Sequence, residues 1–273
     1  METLSVITIT LNEERNISRC LGSVRWADEI VVVDSFSSDG TMETARRFTE
    51  KVFQHRYQGS TRQMELGIRE ATGDWILFLD ADEEVSEPLA DEIRGMLASG
   101  TPYAAFEILR KPQAFGRWIE HGGWFPDYQL RLLRRKDAIA VHAEVHGGFS
   151  VSGPRGRMSG PVYHYTYDTI HAYLERMNDY TSLELSNRLA RNPEARASWY
   201  NLFLSPVVHF LRRFISLKGY RDGFHGFVLA LLDGTYALVL YAKLWEYRMR
   251  LQEGKGHLPP MTNEDLHAMR RIR

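Results

Sequence analysis

Hydrophobic positions in the first 80 residues alternate between two periods. Leu4-Ser5-Val6-Ile7-Thr8-Ile9-Thr10-Leu11 is a β-branched run that reads as a strand. Asn12 follows as a helix cap, with Glu13 and Glu14 in the first turn where carboxylates suit the helix dipole. Ile17, Cys20, Leu21 and Val24 then recur at spacings of three and four, one apolar stripe on which Cys20 reads as a packing residue. The same reading predicts strands at 29–34, 51–53 and 75–79 and helices at 40–48 and 61–71. Near-continuous apolar strands between amphipathic helices specify the α/β class: a mostly parallel sheet covered on both faces. Ligands of such sheets bind beyond the carboxyl ends of the strands. The polar residues just after each strand are therefore the informative ones.

The pattern changes twice farther on. Between 102 and 167 short apolar runs are broken by Gly, Pro and aromatics, which predicts mixed strands and long loops over the sheet end, an acceptor region. After Asp168 the chain reads as helical to about Glu253, with a restart at Asn192-Pro193-Glu194. Residues 199–217 form a broad apolar face whose narrow polar side holds Ser205, His209, Arg212 and Ser216. Residues 227–232 and 236–242 are also apolar, interrupted by Asp233-Gly234. A spanning helix needs about 20 apolar residues. This interrupted stretch therefore reads as lying in a membrane interface, the alternative being a helical subdomain that packs on the catalytic part or on a second copy.

Composition narrows the class. The chain has 273 residues, 44% hydrophobic and 25% charged, which excludes disorder. One cysteine excludes a disulfide framework and a cysteine zinc finger. A formal net charge of −1 gives no global basic field for nucleic acid. From Arg196 onward, however, 12 Lys and Arg face 6 Asp and Glu, so an acidic body carries a basic end. Met1-Glu2-Thr3 has no basic start, and no signal peptide is expected. That points to a cytoplasmic protein.

The chemistry lies at the strand ends. Asp34 closes the second predicted strand, and Asp80-Ala81-Asp82-Glu83-Glu84 closes the fourth. Alternation in an extended segment puts Asp80 and Asp82 on one side. Two such carboxylates divide a ligand between them, one on a hydroxyl and one on a hard cation. Mg2+ or Mn2+ binds well through one or two carboxylates while substrate phosphates complete the octahedron. A solvated acidic turn is the bland alternative, outweighed by the apolar strand before the motif and the second strand-end Asp upstream. His142, Glu144 and His146 also alternate and invite zinc. H-x-E-x-H is not the helical H-E-x-x-H motif and lacks a third strong ligand, so a zinc metallohydrolase is the weaker reading.

Three motifs in order carry a resemblance: Val6-Ile7-Thr8-Ile9-Thr10-Leu11-Asn12-Glu13-Glu14, Ile30-Val31-Val32-Val33-Asp34-Ser35 with Ser38-Asp39-Gly40-Thr41, and Gly73-Asp74-Trp75-Ile76-Leu77-Phe78-Leu79-Asp80-Ala81-Asp82-Glu83. They resemble the family-two nucleotide-sugar glycosyltransferases of GT-A fold. Phe125-Pro126-Asp127-Tyr128-Gln129-Leu130-Arg131-Leu132 and Val162-Tyr163-His164-Tyr165-Thr166-Tyr167 are similar to a branch that acts in bacterial lipopolysaccharide core and surface-glycan assembly.

The resemblance implies a GT-A catalytic domain over 1–167, with a nucleotide-sugar part (1–100) and an acceptor part (101–167). A helical, membrane-associated region over 168–273 would follow. It implies an inverting, metal-dependent transfer from a UDP-sugar to a lipid-linked or core-glycan acceptor, on the cytoplasmic face of the inner membrane. Thr10, Leu11, Asn12 and Glu13 would line the nucleoside pocket, Asp34 would accept from the base imide, and Arg62 would sit near base or diphosphate. Asp80 would take the ribose hydroxyl or assist the metal, with Asp82 the direct ligand of Mg2+ or Mn2+. Asp127 would be the general base, its pKa raised by Trp118, Trp124, Phe125 and Tyr128. Of Arg131, Arg134 and Arg135, one would face the diphosphate. His164 would complete the metal shell, hold the acceptor, or serve structure alone. The branch carries Val-His-Glu where this chain has Val141-His142-Ala143-Glu144 and Val145-His146-Gly147. A non-catalytic nucleotide-sugar-binding scaffold is the alternative from another class, and a homo-oligomer is compatible with all of this.

Overall fold

A computed structural model describes residues 1–141 and 148–253; His142, Glu144 and His146 lie outside them. The described residues divide into two compact units: residues 1–111 with 127–165, and residues 112–126 with 166–253.

The first unit is built on β1 (Leu4–Thr10), β2 (Glu29–Asp34), β3 (Val52–Gln54) and β4 (Trp75–Phe78), with β5 (Glu83–Val85), β6 (Ala105–Ala114), β8 (Asp127–Arg134) and β11 (Arg155–Tyr167). Their order is β3-β2-β1-β4-β8-β6-β11-β5. The parallel part is β3-β2-β1-β4. Beyond it β8 runs antiparallel to both β4 and β6. No crossover helix separates β6 from β8, so the chain returns antiparallel. A short hairpin of β9 (Ile139–Val141) and β10 (Gly148–Ser150) stands apart from this sheet.

The unbroken apolar character of the first strands follows from burial on both faces. Leu4, Val6, Val32, Trp75 and Leu77 pack with α1 (Glu14–Gly22) and α4 (Glu87–Ser99) on one face. Ile7, Val31, Ile76 and Phe78 pack with Met64 of α3 (Ser60–Glu70) on the other. Cys20 is fully buried in the first cluster, as its place on the stripe predicts.

Three elements differ from expectation. Asn12 does not cap α1: Glu13 holds the N-cap position, and the Asn12 side chain instead accepts from the Ser38 backbone N–H at 2.8 Å. Helix α2 (Thr41–Ala45) is shorter than 40–48. Helix α4 was not expected, although Ser86 caps it by accepting from the Leu89 N–H and Pro88 lies in its first turn.

In the second unit β7 (Arg117–Trp118) pairs back on Gln113 and Ala114. Helix α5 (Ile170–Arg191) follows; no helix restarts at Pro193, and residues 193–198 are irregular. Residues 200–216 run as a π turn, α6 (Ser205–Leu211) and a second π turn. Helix α7 (Gly223–Gln252) is continuous through Asp233-Gly234. Asp233 is tolerated there because Arg213 (3.2 Å) and His209 (3.3 Å) pair with its carboxylate. Gly226, Leu229, Ala230, Gly234, Ala237, Leu240 and Leu244 are buried along one face of α7. One helical stretch among the described residues, Gly219–Gln252, is long and apolar enough to cross a membrane by length and composition alone.

Candidate functional site

The first unit gathers chain ends that lie far apart in sequence. Strands β1 and β2 stop in register at Thr10 and Asp34. Strand β4 ends one residue before Leu79-Asp80, and antiparallel β8 begins at Asp127 on the same edge.

At the β1–β2 end, Asp34 is fully buried. Its carboxylate accepts from the Ser37 N–H (2.9 Å), the Ser37 hydroxyl (2.5 Å) and the Gln54 amide (3.2 Å). Ser37 Oγ in turn accepts from the Asn12 N–H at 2.8 Å. Glu13 N–H donates to Thr41 Oγ1 (2.8 Å), and Thr41 donates to Asp39 (2.5 Å). The loops after β1 and β2 are thus laced together. Both carry a residue in the left-handed region, Asn12 (φ 54°) and Phe36 (φ 64°), conformations that persist only where surroundings enforce them. Asp34 organises these loops in addition to any role toward a base. Thr10 Oγ1 is buried and has no hydrogen-bond partner among the described residues. A buried hydroxyl left this way costs about 1–3 kcal/mol, which a ligand or water recovers.

Sequence reasoning missed Gln63 and His55 here. Gln63 is buried and donates to Ser35 Oγ (2.6 Å) and His55 O (3.0 Å), while its carbonyl meets His55 Nδ1 at 2.6 Å. Arg62, one residue before, lies on the exposed side of α3 paired with Glu65 at 2.8 Å.

At the β4 end, Asp80 to Glu83 form a turn rather than an extended segment. Glu83 N–H donates to Asp80 O (2.9 Å), and Asp80 N–H donates to Glu83 Oε2 (3.0 Å). The turn forms because Glu83 opens β5, which pairs with β11 through Glu83↔His164. That pairing sets His164 Nε2 3.4 Å from Asp82 Oδ2. Asp80 Oδ2 instead accepts from Arg131 at 2.6 Å. No group of three or more His, Cys, Asp and Glu side chains suited to a metal is present among the described residues. One carboxylate and one imidazole nevertheless form the short protein donor set that a divalent cation takes when phosphate oxygens supply the rest. Asp82 and His164 fit that role; Asp80, engaged by Arg131, fits the assisting one.

Asp127 sits in a different environment from the apolar one expected. Arg110 donates to its Oδ2 through Nε (2.8 Å) and reaches it through Nη2 (2.7 Å), while Gln129 donates to Oδ1 at 2.6 Å. Arg110 is its direct cross-strand partner, which accounts for the pair. Of the rings expected beside it, Tyr128 is exposed under the Arg157 guanidinium. Trp118, Trp124 and Phe125 belong to the second unit, where Trp124 packs edge-on to Tyr167 at 6.3 Å.

Between the two ends lies Glu83, 1% exposed. Its Oε1 is 3.2 Å from Arg131 Nη2 and 3.6 Å from Arg110 Nη1. Burial pushes the Glu83 carboxyl up, against the pull of Arg131. Burial likewise works against the Arg131 charge, but Asp80 and Glu83 more than offset it and hold the guanidinium proton tightly. Arg134 and Arg135 serve structure: Arg134 pairs with Glu2 and stacks on Trp75, and Arg135 donates to Gly73 O.

The profile of the family described as "Glycosyl transferase family 2" matches residues 5–152. The lipopolysaccharide core biosynthesis glycosyltransferase LpsC of Rhizobium meliloti is 26% identical over 250 residues, covering 89% of this chain and 92% of that one. Staphylococcus aureus TarS 1–349 in complex with UDP-GlcNAc is 16% identical, with 92% of each chain covered and a TM-score of 0.47. Mycobacterium tuberculosis glucosyl-3-phosphoglycerate synthase in complex with Mn2+, UDP-glucose and phosphoglyceric acid is 22% identical over 40% of this chain and 44% of that one, with a TM-score of 0.36.

Proposed function

The chain belongs to glycosyl transferase family 2, and on that premise we propose that it moves a sugar, with inversion, from a UDP-sugar to a lipid-linked or lipopolysaccharide-core glycan. The observation that carries this reading is one sheet edge bearing the unpartnered Thr10 hydroxyl, the Asp82–His164 pair and the strand-end carboxylates of Asp80 and Asp127. Thr10 to Glu13 and Asp34 hold the nucleoside, and Asp80 holds the ribose or supports the metal. Mg2+ or Mn2+ on Asp82 and His164, when bound, neutralises the charge that develops on the leaving diphosphate. Asp127 takes the proton of the acceptor hydroxyl as that oxygen bonds to the anomeric carbon, and the bond from that carbon to the diphosphate breaks on the opposite face. The core-biosynthesis role in the name of LpsC, whose length this chain nearly spans, supports the acceptor class.

Calorimetry with UDP, GDP and ADP, with and without Mn2+, tests the donor half. Mn2+-dependent binding of UDP in preference to the purine nucleotides is expected. A preference for GDP or ADP would remove uracil recognition from Asp34.

The acceptor half places the protein on the cytoplasmic face of the inner membrane, held through its second unit. Trp199 (77% exposed), Phe203 (65%) and Phe224 (76%) are exposed, as are Arg212, Lys218 and Arg221 of the same unit, a composition suited to an anionic bilayer surface. Sedimentation with phosphatidylglycerol vesicles should exceed that with phosphatidylcholine. Phe203→Ser combined with Phe224→Ser should lower the partition coefficient at least ~10-fold. Equal sedimentation with neutral vesicles, or with none, counts against the membrane contact.

A further inference from the structure

Two parts of the site that the proposed reaction treats separately are joined by buried charge. The series Asp80–Arg131–Glu83–Arg110–Asp127 runs from the residues after β4 through β8, β5 and β6, alternating in sign at each step. Its ends are open, Asp80 at 33% and Asp127 at 29% side-chain exposure, whereas Glu83 at the middle is closed to any ligand.

The backbone is shaped for this arrangement. Phe106 pairs with Leu132 and Glu107 with Leu130, so Arg131 falls at a bulge without a partner on β6. Bulges redirect a side chain and recur beside active sites. Here the side chain turns onto Asp80 and Glu83. Glu83 also accepts the Asp80 backbone N–H, so one carboxylate holds the turn, the arginine on Asp80 and the arginine on Asp127. A buried carboxylate is retained only when its partners compensate its desolvation, and such groups are kept where they fix one arrangement among several.

We infer that Glu83 is a positioning residue that couples the donor side of the site to the acceptor side: through Arg131 it sets Asp80, and through Arg110 it sets Asp127. The inference rests on the donor and acceptor roles proposed above for those two carboxylates. Glu83 touches no substrate, so its effect travels through the two arginines and through the turn it holds at Asp80. A change at Arg110 is therefore felt at the donor end only while the Glu83 carboxylate reaches both guanidinium groups.

A double-mutant cycle read by UDP affinity in saturating Mn2+ tests this, with thermal melts of each variant alongside. Arg110→Gln should weaken UDP binding about 5-fold in the parent and by less than about 1.5-fold in a Glu83→Gln background. Equal effects in both backgrounds overturn the inference, because Arg110 would then act on the ligand directly or through stability alone. Should Glu83→Gln fail to fold, Glu83→Asp takes its place, keeping the charge but withdrawing it from both guanidinium groups, with the same criterion. A folded parent that binds no UDP overturns the donor-site reading and this inference with it. UDP binding with additive effects overturns the inference alone.

Discussion

Replacing Asp127 by Asn should lower kcat for sugar transfer by about 10²–10⁴-fold, the usual contribution of a positioned general base. UDP affinity in Mn2+ should stay within about twofold, because Asn loses a charge but not a shape. The Asn carbonyl can still accept from Arg110, and the Gln129 amide can turn to accept from the new NH2. The measurement is transfer of labelled sugar from the UDP donor to a core-glycan acceptor, with UDP affinity by calorimetry on the same preparations. Full activity in the variant would take Asp127 out of the proton transfer. A parent protein that binds the UDP-sugar and transfers nothing would instead be a scaffold.

The second large effect is expected at Asp82. In Asp82→Ala the Mn2+-dependent part of UDP binding should disappear, a loss of about 10²-fold. Metal-independent binding should remain close to that of the parent stripped with EDTA. His164→Ala should share the phenotype in weaker form, since His164 Nε2 stands 3.4 Å from the Asp82 carboxylate. Metal-dependent binding retained in Asp82→Ala would place the cation elsewhere. The alternating histidines 142 and 146 would then be the next residues to substitute.

The positions legible in the sequence were those fixed by their own strand. Asp34 and Asp80 each follow an unbroken apolar run, and in a sheet covered on both faces that position alone puts a carboxylate at the ligand edge. The donors around them were not legible. Gln63 reaches Ser35 from a helix, and Arg110 meets Asp127 across two strands, so each contact depends on a register that periodicity does not encode. Glu83 looked like one more acid in an acidic turn. Its burial comes from β5 joining β11, a strand 70 residues later in the chain. Asn12 shows the same limit locally. Its type and place suit an N-cap, but the Ser38 N–H of the neighbouring loop claims its side chain. The aromatic residues beside Asp127 in sequence suggested an apolar pocket, whereas the groups that touch its carboxylate are Arg110 on β6 and Gln129 two residues along β8.

The strand order bears on how the chain is made. Strand β4, Trp75-Ile76-Leu77-Phe78, is wholly buried and lies between β1 and β8. During translation β1 is already available, but β8 follows ~50 residues later, several seconds at ordinary elongation rates of about 5–20 residues per second. For that interval the nascent α/β half carries an unpaired, entirely apolar edge, the kind of edge that recruits strands from other chains. A fragment ending after α4 should accumulate as aggregate even though it contains every strand of the parallel layer.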